Sequence, residues 1–407
     1  MEAEKKNFAN SKAFRNTSEP AKESWFRCLS YSVFFALAIF ACSDQTDNST
    51  SESKTYRINT EDAVPCESLA ELIKQYEIVP LETKQDALIS EPTKIRVVNE
   101  RIFIFDEPAK RVLAFDSSGR FISVIGKKGK GPEEYGSLQD FEVDTDRDLL
   151  IFLDISQLAI LEYDFDGKFL RKVSLNSYYY ALGVGAGCFY LAGSYDAESH
   201  KNLLVKNLKG RIISEFFEFP KDMQSAIFYS FTGGVYTNPS STLYCDALSA
   251  QVFLVTPDEV NLKYTFKFKG DMWPESERHK AMEFSSNINN FNKYSWLYPP
   301  FYENHNALAF VYRENGKFKR GYFLKKNQQV IFSDGFKKDL ISSVVSAPVG
   351  WHEEGEFISF VSRSAFQNFV KENPTPSSPH DNLFDLMKSR PIEDNPVLII
   401  YNLKKSL

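Results

Sequence analysis

One pattern is written twice between residues 101 and 170. The first copy reads RIFIFDEPAKRVLAFDSSGRFISVIG and the second LLIFLDISQLAILEYDFDGKFLRKVSL. Asp106 aligns with Asp154 and Gly119 with Gly167, both at an offset of 48 residues. Between these anchors Phe115 matches Tyr163, Asp116 matches Asp164, Arg120 matches Lys168 and Phe121 matches Phe169. Self-similarity at this spacing comes from one supersecondary unit copied along the chain, each copy needing its neighbours to bury its faces.

Within a copy, apolar runs of four to six residues end at Asp or Gly, too short for helices and rich in β-branched and aromatic types, so they read as strands. The tetrads Asp116-Ser-Ser-Gly119 and Asp164-Phe-Asp-Gly167 predict tight hairpins, where glycine takes positive φ without steric penalty. With 141–144 as a first strand, one unit is a four-stranded antiparallel meander. Such a unit has two open edges, and stacking copies radially around a channel is the arrangement that suits it. The fold expected is therefore all-β: a six-bladed β-propeller of four-stranded antiparallel blades, with short helical insertions.

The remaining units follow the same grammar. The first blade is expected over 76–125, with its edge strand at 77–81, and the second over 138–175. A third runs over 178–217 and turns at Asn207-Leu-Lys-Gly210, 43 residues after Gly167. The fourth covers 230–268 and turns at Pro257-Asp258. Residues 271–293 interrupt the strands with a helix starting at Trp273. The fifth unit takes 296–334, and the sixth takes strands at 342–349, 356–361 and 396–403. An insertion in the sixth carries a Pro-rich loop at 374–379 and a short helix at 381–387. Ser68-Leu-Ala-Glu71 has capping-box spacing and predicts a short helix before the first blade. The 332 residues from Tyr76 to Leu407 give about 55 for each of six units. Pairing the last apolar strand with the one at 78–81 would close the ring and remove an exposed edge. The 36 Phe and 20 Tyr supply the flat side chains that fill space between stacked sheets.

Three stretches carry a family resemblance: Val79-Pro-Leu-Glu-Thr83, the loop IGKKGKGPEEY over 125–135, and Asn395-Pro-Val-Leu-Ile399. They resemble the six-bladed β-propeller lipoproteins of Bacteroidetes, similar in pattern to NHL-repeat and TolB-like propellers. The middle motif departs from that pattern, since Glu133 stands where the family usually has Gly. The resemblance implies a fold and a compartment, not a reaction, because propellers host many functions.

The N-terminus fits that compartment. Residues 29–41 carry no charge, a run too short to span a bilayer but suited to a secretory signal. The segment LAIFAC ending at Cys42 resembles a bacterial lipoprotein signal, with Phe40 bulky where a small residue is usual. The expected layout is a lipoprotein-type signal peptide over 1–41 with lipidation at Cys42, a flexible Ser/Thr/Asp-rich tether over 42–65, and the propeller over 66–407. Attachment to the membrane is then through the N-terminal lipid only, at the outer membrane of the cell envelope. Removing 1–41 takes six Lys/Arg and four Asp/Glu, so the net charge of −6 becomes −8. That acidic balance argues against nucleic acid as a partner.

Chemistry-bearing clusters are sparse. The loop at 126–135 is the candidate ligand site: Lys127, Lys128 and Lys130 alternate with glycines and precede Glu133, Glu134 and Tyr135, so it could hold a carboxylate or phosphate. It lacks the phosphate-loop pattern, and a crossover between blades, in which Gly allows the tight path and Lys faces water, is the simpler reading. The five histidines are scattered singly, with none at metal-ligand spacing. His352-Glu353-Glu354, after Trp351, is the best imidazole and carboxylate grouping and reads as a solvated turn. No catalytic residue, metal or cofactor is expected. Cys66, Cys188 and Cys245 read as small buried hydrophobes, and Asp106, Asp154 and Asp246 as acceptors for turn backbones. Tyr178–Tyr180, Trp296 and Tyr298 read as packing between blades. The function expected is an envelope-anchored binding or interaction module for a small molecule, glycan or envelope protein. The alternatives are a hydrolase or lyase at the channel mouth, or a structural subunit of an outer-membrane complex.

Overall fold

The repeat folds as its sequence demands. In a computed structural model, which describes residues 54–66, 68–193, 200–219, 233–274, 276, 292–333, 340–372 and 381–406, the second blade consists of Leu138–Asp144, Leu149–Asp154, Ala159–Asp164 and Phe169–Ser174, paired in order as an antiparallel meander. The same order recurs in the first blade (Pro92–Val98, Arg101–Asp106, Arg111–Asp116, Phe121–Ile125) and the third (Ala181–Gly185, Cys188–Ala192, Lys201–Asn207, Ile212–Glu218). It recurs again in the fourth (Gly234–Asn238, Ser241–Cys245, Gln251–Val255, Val260–Lys267) and the fifth (Tyr294–Glu303, Ala307–Glu314, Lys317–Leu324, Gln329–Ser333). The sixth is composite: Gly350–His352, Phe357–Val361 and Val397–Leu403 are completed on the outside by Ile73–Pro80.

Blades pack on their neighbours through shared apolar clusters. Ile151 and Leu153 of the second blade meet Leu182 and Leu191 of the third. Val205 of the third meets Val235 and Tyr244 of the fourth, and Leu243 and Tyr264 of the fourth meet Phe310 and Phe323 of the fifth. Ile95 and Ile104 of the first share a cluster with Ile358 and Leu398 of the sixth. The succession returns to its start, and the fold is a β-propeller.

The third-to-fourth strand turns show why the repeat needs its glycine. Gly119, Gly167 and Gly210 have φ of +83°, +85° and +80°, a region that costs an L side chain free energy. Before each, Asp116, Asp164 or Asn207 uses one side-chain oxygen to accept the N–H groups two and four residues on. Asp106 and Asp154, both 0 % exposed, end second strands and tie them to the segment entering their own blade. Asp106 accepts from Ser90 and Glu91 N–H, and Asp154 from Gly136, Ser137, Ser156 and Gln157 N–H. Asp246 accepts the N–H of the next residue, Ala247, within its own turn. Cys66, Cys188 and Cys245 are buried thiols.

Four expectations need correction or narrowing. The strand at 77–81 does not start the first blade, which spans 92–125; it belongs to the sixth, pairing antiparallel with Val397–Leu403. This is the ring closure anticipated above. Residues 342–349 do not form the sixth blade's inner strand. Leu340–Val344 is helical, because Leu340 and Ile341 bury against Leu69 and Leu72 while Ser342 Oγ accepts Leu69 N–H at 2.6 Å. That bond replaces the expected cap on the helix Leu69–Leu72, which the Ser68 side chain does not cap. Finally, the end of the expected tether is structured. Tyr56–Asn59 lies parallel to Val260–Lys267 and Val64–Pro65 parallel to Gln329–Ser333, since Ile58 is buried and Tyr56 stacks on Tyr264. The N-terminal segment thus runs along the outer edges of the fourth, fifth and sixth blades in turn.

Most of the helix expected from Trp273, the loop at 374–379, His279 and His380 lie outside the described residues, as do residues 1–53 with Cys42. Asp381–Ser389 is helical as expected and packs, with Arg363–Glu372, onto the cluster of the fifth and sixth blades through Phe366, Leu383 and Met387. Among the described residues no helix is long and apolar enough to cross a membrane.

Candidate functional site: the channel and its mouth

The innermost strands of the first and second blades carry the charged residues of the channel. On Pro92–Val98, Lys94 and Arg96 alternate with Ile95 and Val97; on Leu138–Asp144, Asp140 and Glu142 alternate with Phe141 and Val143. The two-residue period of a strand sends each charged pair to one face. Arg96 meets Glu142 through Nε at 2.6 Å and a terminal nitrogen at 2.8 Å, and donates to Ile95 C=O at 2.9 Å. Its guanidinium lies 4.9 Å from the Trp351 ring centroid and 5.8 Å from that of Tyr302. Lys94 Nζ sits 2.5 Å from Asp140 and donates to Phe141 C=O at 3.1 Å.

Two cations balance two carboxylates, and the network reaches every blade. Asp140 accepts Leu182 N–H of the third blade at 2.9 Å, and Trp351 Nε1 donates to Thr237 C=O of the fourth at 2.6 Å. Burial acts to lower the Arg96 pKa, but the charge and hydrogen bonds of Glu142, with Tyr302, together outweigh it and the result is raised. Burial also raises the Asp140 carboxyl against the pull of Lys94, and pushes Tyr302 up to about 12. Charges this deeply buried are tolerated only when paired and hydrogen-bonded, as here.

A cavity of about 390 Å³ opens above this layer. All inner strands run the same way, as the parallel pairing of Gly350–His352 with Pro92–Val98 shows across the closure. The turns joining first to second strands therefore gather at one mouth. Thr145 and Asp146, Gly185 and Ala186, and Asn238 to Thr242 line the cavity from three such turns, with Thr256 and Pro257 beside them and Trp351 deeper in. Its rim is held in place: Asp144 accepts Asp146 and Arg147 N–H, Thr237 Oγ accepts Val184 N–H, and Asn238 Oδ1 accepts Glu303 N–H. Ser241 Oγ donates to Glu303, a buried carboxylate that also takes Lys263, Tyr264 and Lys325. Burial acts to raise the Glu303 carboxyl, but Lys325 and Lys263 outweigh it and hold it below the usual range. A second cavity, lined by Leu248–Gln251 and Asp271–Pro274, lies at the side of the fourth and fifth blades, away from the channel.

The candidate loop at 126–135 is the connection from the first blade to the second and so lies at the opposite end of the channel. It folds around Glu134, which accepts Gly131 N–H at 2.8 Å and pairs with Lys127 Nζ at 2.9 Å. Lys127, Lys128, Lys130 and Glu133 are exposed. Tyr135 is buried between blades against Phe152, with Tyr163 Oη donating to Glu133 C=O. Burial pushes Tyr135 up to about 12. Of the aromatics read as packing, Tyr179 and Trp296 are buried, whereas Tyr298 is exposed and meets Phe318 edge-on.

Sequence reasoning missed the channel charges. Lys94 and Asp140, and Arg96 and Glu142, are each 46 residues apart, close to the repeat period and opposite in sign. That complementarity was the available signal. The structure also gathers His352, Glu354 and Glu356, with one ligand atom from each lying within 4.8 Å of the others.

Residues 55–402 match the family profile described as Domain of unknown function (DUF4934). The chain belongs to this family. The DUF4934 match begins at the strand that edges the fourth blade and ends in the strand that closes the sixth. Among solved structures, it is similar to a Bacteroides fragilis protein described by inference as exported, with a TM-score of 0.72, 19% identity, and 86% of this chain and 100% of that one covered. It is also similar to a member of the DUF4221 family from Bacteroides vulgatus, with a TM-score of 0.51, 11% identity, and 82% and 98% covered. A streptogramin B lyase structure aligns at a TM-score of 0.44 and 10% identity over 80% and 98%. A comparison with curated protein sequences finds no match.

Proposed function

We propose that this chain is an exported propeller that binds a small, uncharged, hydroxyl-rich ligand, a glycan fragment in chemical class, at the channel mouth. The observation that carries this reading is the lining of the 390 Å³ cavity: threonine and serine hydroxyls, an asparagine amide and the Asp144 and Asp146 carboxylates, all able to meet sugar hydroxyls, with Trp351 and Tyr190 as aromatic surface and, among the described residues, no Lys or Arg. Its volume falls in the range of small-molecule sites. Hydroxyl and amide side chains exchange hydrogen bonds with sugar hydroxyls, whereas an anion would find no countercharge in this lining. The charged layer beneath fixes the depth of the site. Export is supported by the signal-like segment ending at Cys42 and by the likeness to the B. fragilis protein; lipidation at Cys42 would hold the domain to the envelope.

The test is a thermal-shift and calorimetric screen against glycans, peptides and anions. A glycan is expected to bind, and Ser240→Trp, placed on the exposed rim, is expected to abolish that binding while leaving the circular dichroism spectrum unchanged. A protein that responds to none of the three classes, or whose Ser240→Trp variant binds glycan equally well, sinks the reading. For the anchor, Cys42→Ser should move the protein from the membrane to the soluble fraction and remove palmitate labelling.

A further inference from the structure

We propose that the turn joining the first two strands of the sixth blade is a divalent transition-metal site, with zinc the best fit, formed by His352, Glu354 and Glu356. Three potential ligand atoms converge there within 4.8 Å. The decisive detail is an unmet charge. Glu354 N–H donates to His352 Nδ1 at 3.1 Å, so this nitrogen presents a lone pair. Glu356 Oε2 lies 3.1 Å from the same nitrogen and is buried without a hydrogen-bond partner. Two lone-pair atoms at that distance repel unless a cation joins them. A proton on Nδ1 would join Glu356 to the imidazole but would not engage the Glu354 carboxylate that converges on them. A metal ion taking Glu356 Oε2, the Glu354 carboxylate and an imidazole nitrogen satisfies the carboxylates together.

The surroundings fit a site rather than a loose turn. Glu356 Oε1 is oriented by Asn402 Nδ2 at 2.9 Å, the kind of outer hydrogen bond that aims a ligating carboxylate. Asn304 Nδ2 holds Gly355 C=O at 2.7 Å, and Gly355 has φ +89°, which lets the chain reverse tightly enough to bring positions 352 and 356 together. One imidazole with two carboxylates matches zinc or manganese chemistry better than that of calcium, which takes oxygen ligands alone. Three protein ligands leave a coordination position for water or a ligand group.

Calorimetric titration of the full chain, stripped with EDTA and then given zinc chloride alone, tests this. One zinc per chain is expected, and Glu354→Gln and His352→Ala should each weaken binding at least tenfold. His305→Ala, an exposed histidine of the fifth blade, should leave it unchanged. Glu354 is exposed, so its replacement reports on ligation without threatening the fold, and circular dichroism checks the His352 variant. No zinc binding, or binding that survives both replacements, overturns the proposal.

Discussion

Arg96 and Glu142, on the inner strands of adjacent blades, meet through two N–H···O bonds of 2.6 and 2.8 Å, with 2 % and 0 % of their side chains exposed. Removing either partner strands the other charge in the channel. Glu142→Ala or Arg96→Ala should each cost about 3–5 kcal/mol, read as a fall in the urea midpoint. The double change Arg96→Met with Glu142→Met should cost less than the sum of the single changes, because neither charge is then left alone. Additive losses would show that the two side chains do not act as a pair.

Asp116 makes a pH prediction. Its carboxyl is held down to about 2, first by the Ser118 hydroxyl and then by Arg120, against the opposing effect of burial. A folded pKa below the unfolded value of about 3.9 gives stability that is fully present above the unfolded pKa and lost as pH falls through the folded one. The difference in stability between the protein and Asp116→Asn should therefore shrink between about pH 4 and pH 2. A difference that stays constant through that window would remove Asp116 from the acid response.

Gly119 and Gly187 separate two costs of a side chain. Gly187 has φ +69° with nothing within 4 Å of an added Cβ, so Gly187→Ala should cost about 1 kcal/mol from backbone conformation alone. At Gly119, φ +83°, the added Cβ would lie 2.3 Å from Pro80 O on the closing strand. Gly119→Ala should therefore lower the melting temperature distinctly more. Equal losses would mean that the closing strand yields freely.

The loop at 126–135 contains both a buried anchor and a surface pair. Tyr135→Ala should cost about 3–5 kcal/mol, as for other large side chains removed from a core. Lys127→Ala, which breaks an exposed ion pair, should leave the unfolding midpoint unchanged within error. A large loss from the lysine would give that side chain a structural role its exposure does not suggest.

These contrasts also show what could be read beforehand. The Asp-x-x-Gly spacing was legible because only glycine fits the backbone after the Asp side chain has captured two N–H groups. The closure of 78–81 on 396–403 was legible because both runs are apolar and an open edge is costly. The channel charges were not, because charged residues at alternate positions usually mark a solvent face, and only the ring turns that face inward. Residues 56–65 were hidden for another reason: two short strands docked on existing sheet edges need little apolar patterning of their own. The helix Leu340–Val344 contains Ile and Val, which favour strands; burial against Leu69 and Leu72 overrides that preference.

The register of Val79 with Leu398 joins segments from nearly opposite ends of the chain. A nascent polypeptide cannot latch this ring until its last strand has been delivered, so the earliest residues must wait, unengaged, while five blades assemble. Contacts so distant in sequence slow folding, so the ring stays open for as long as its final blade takes to arrive.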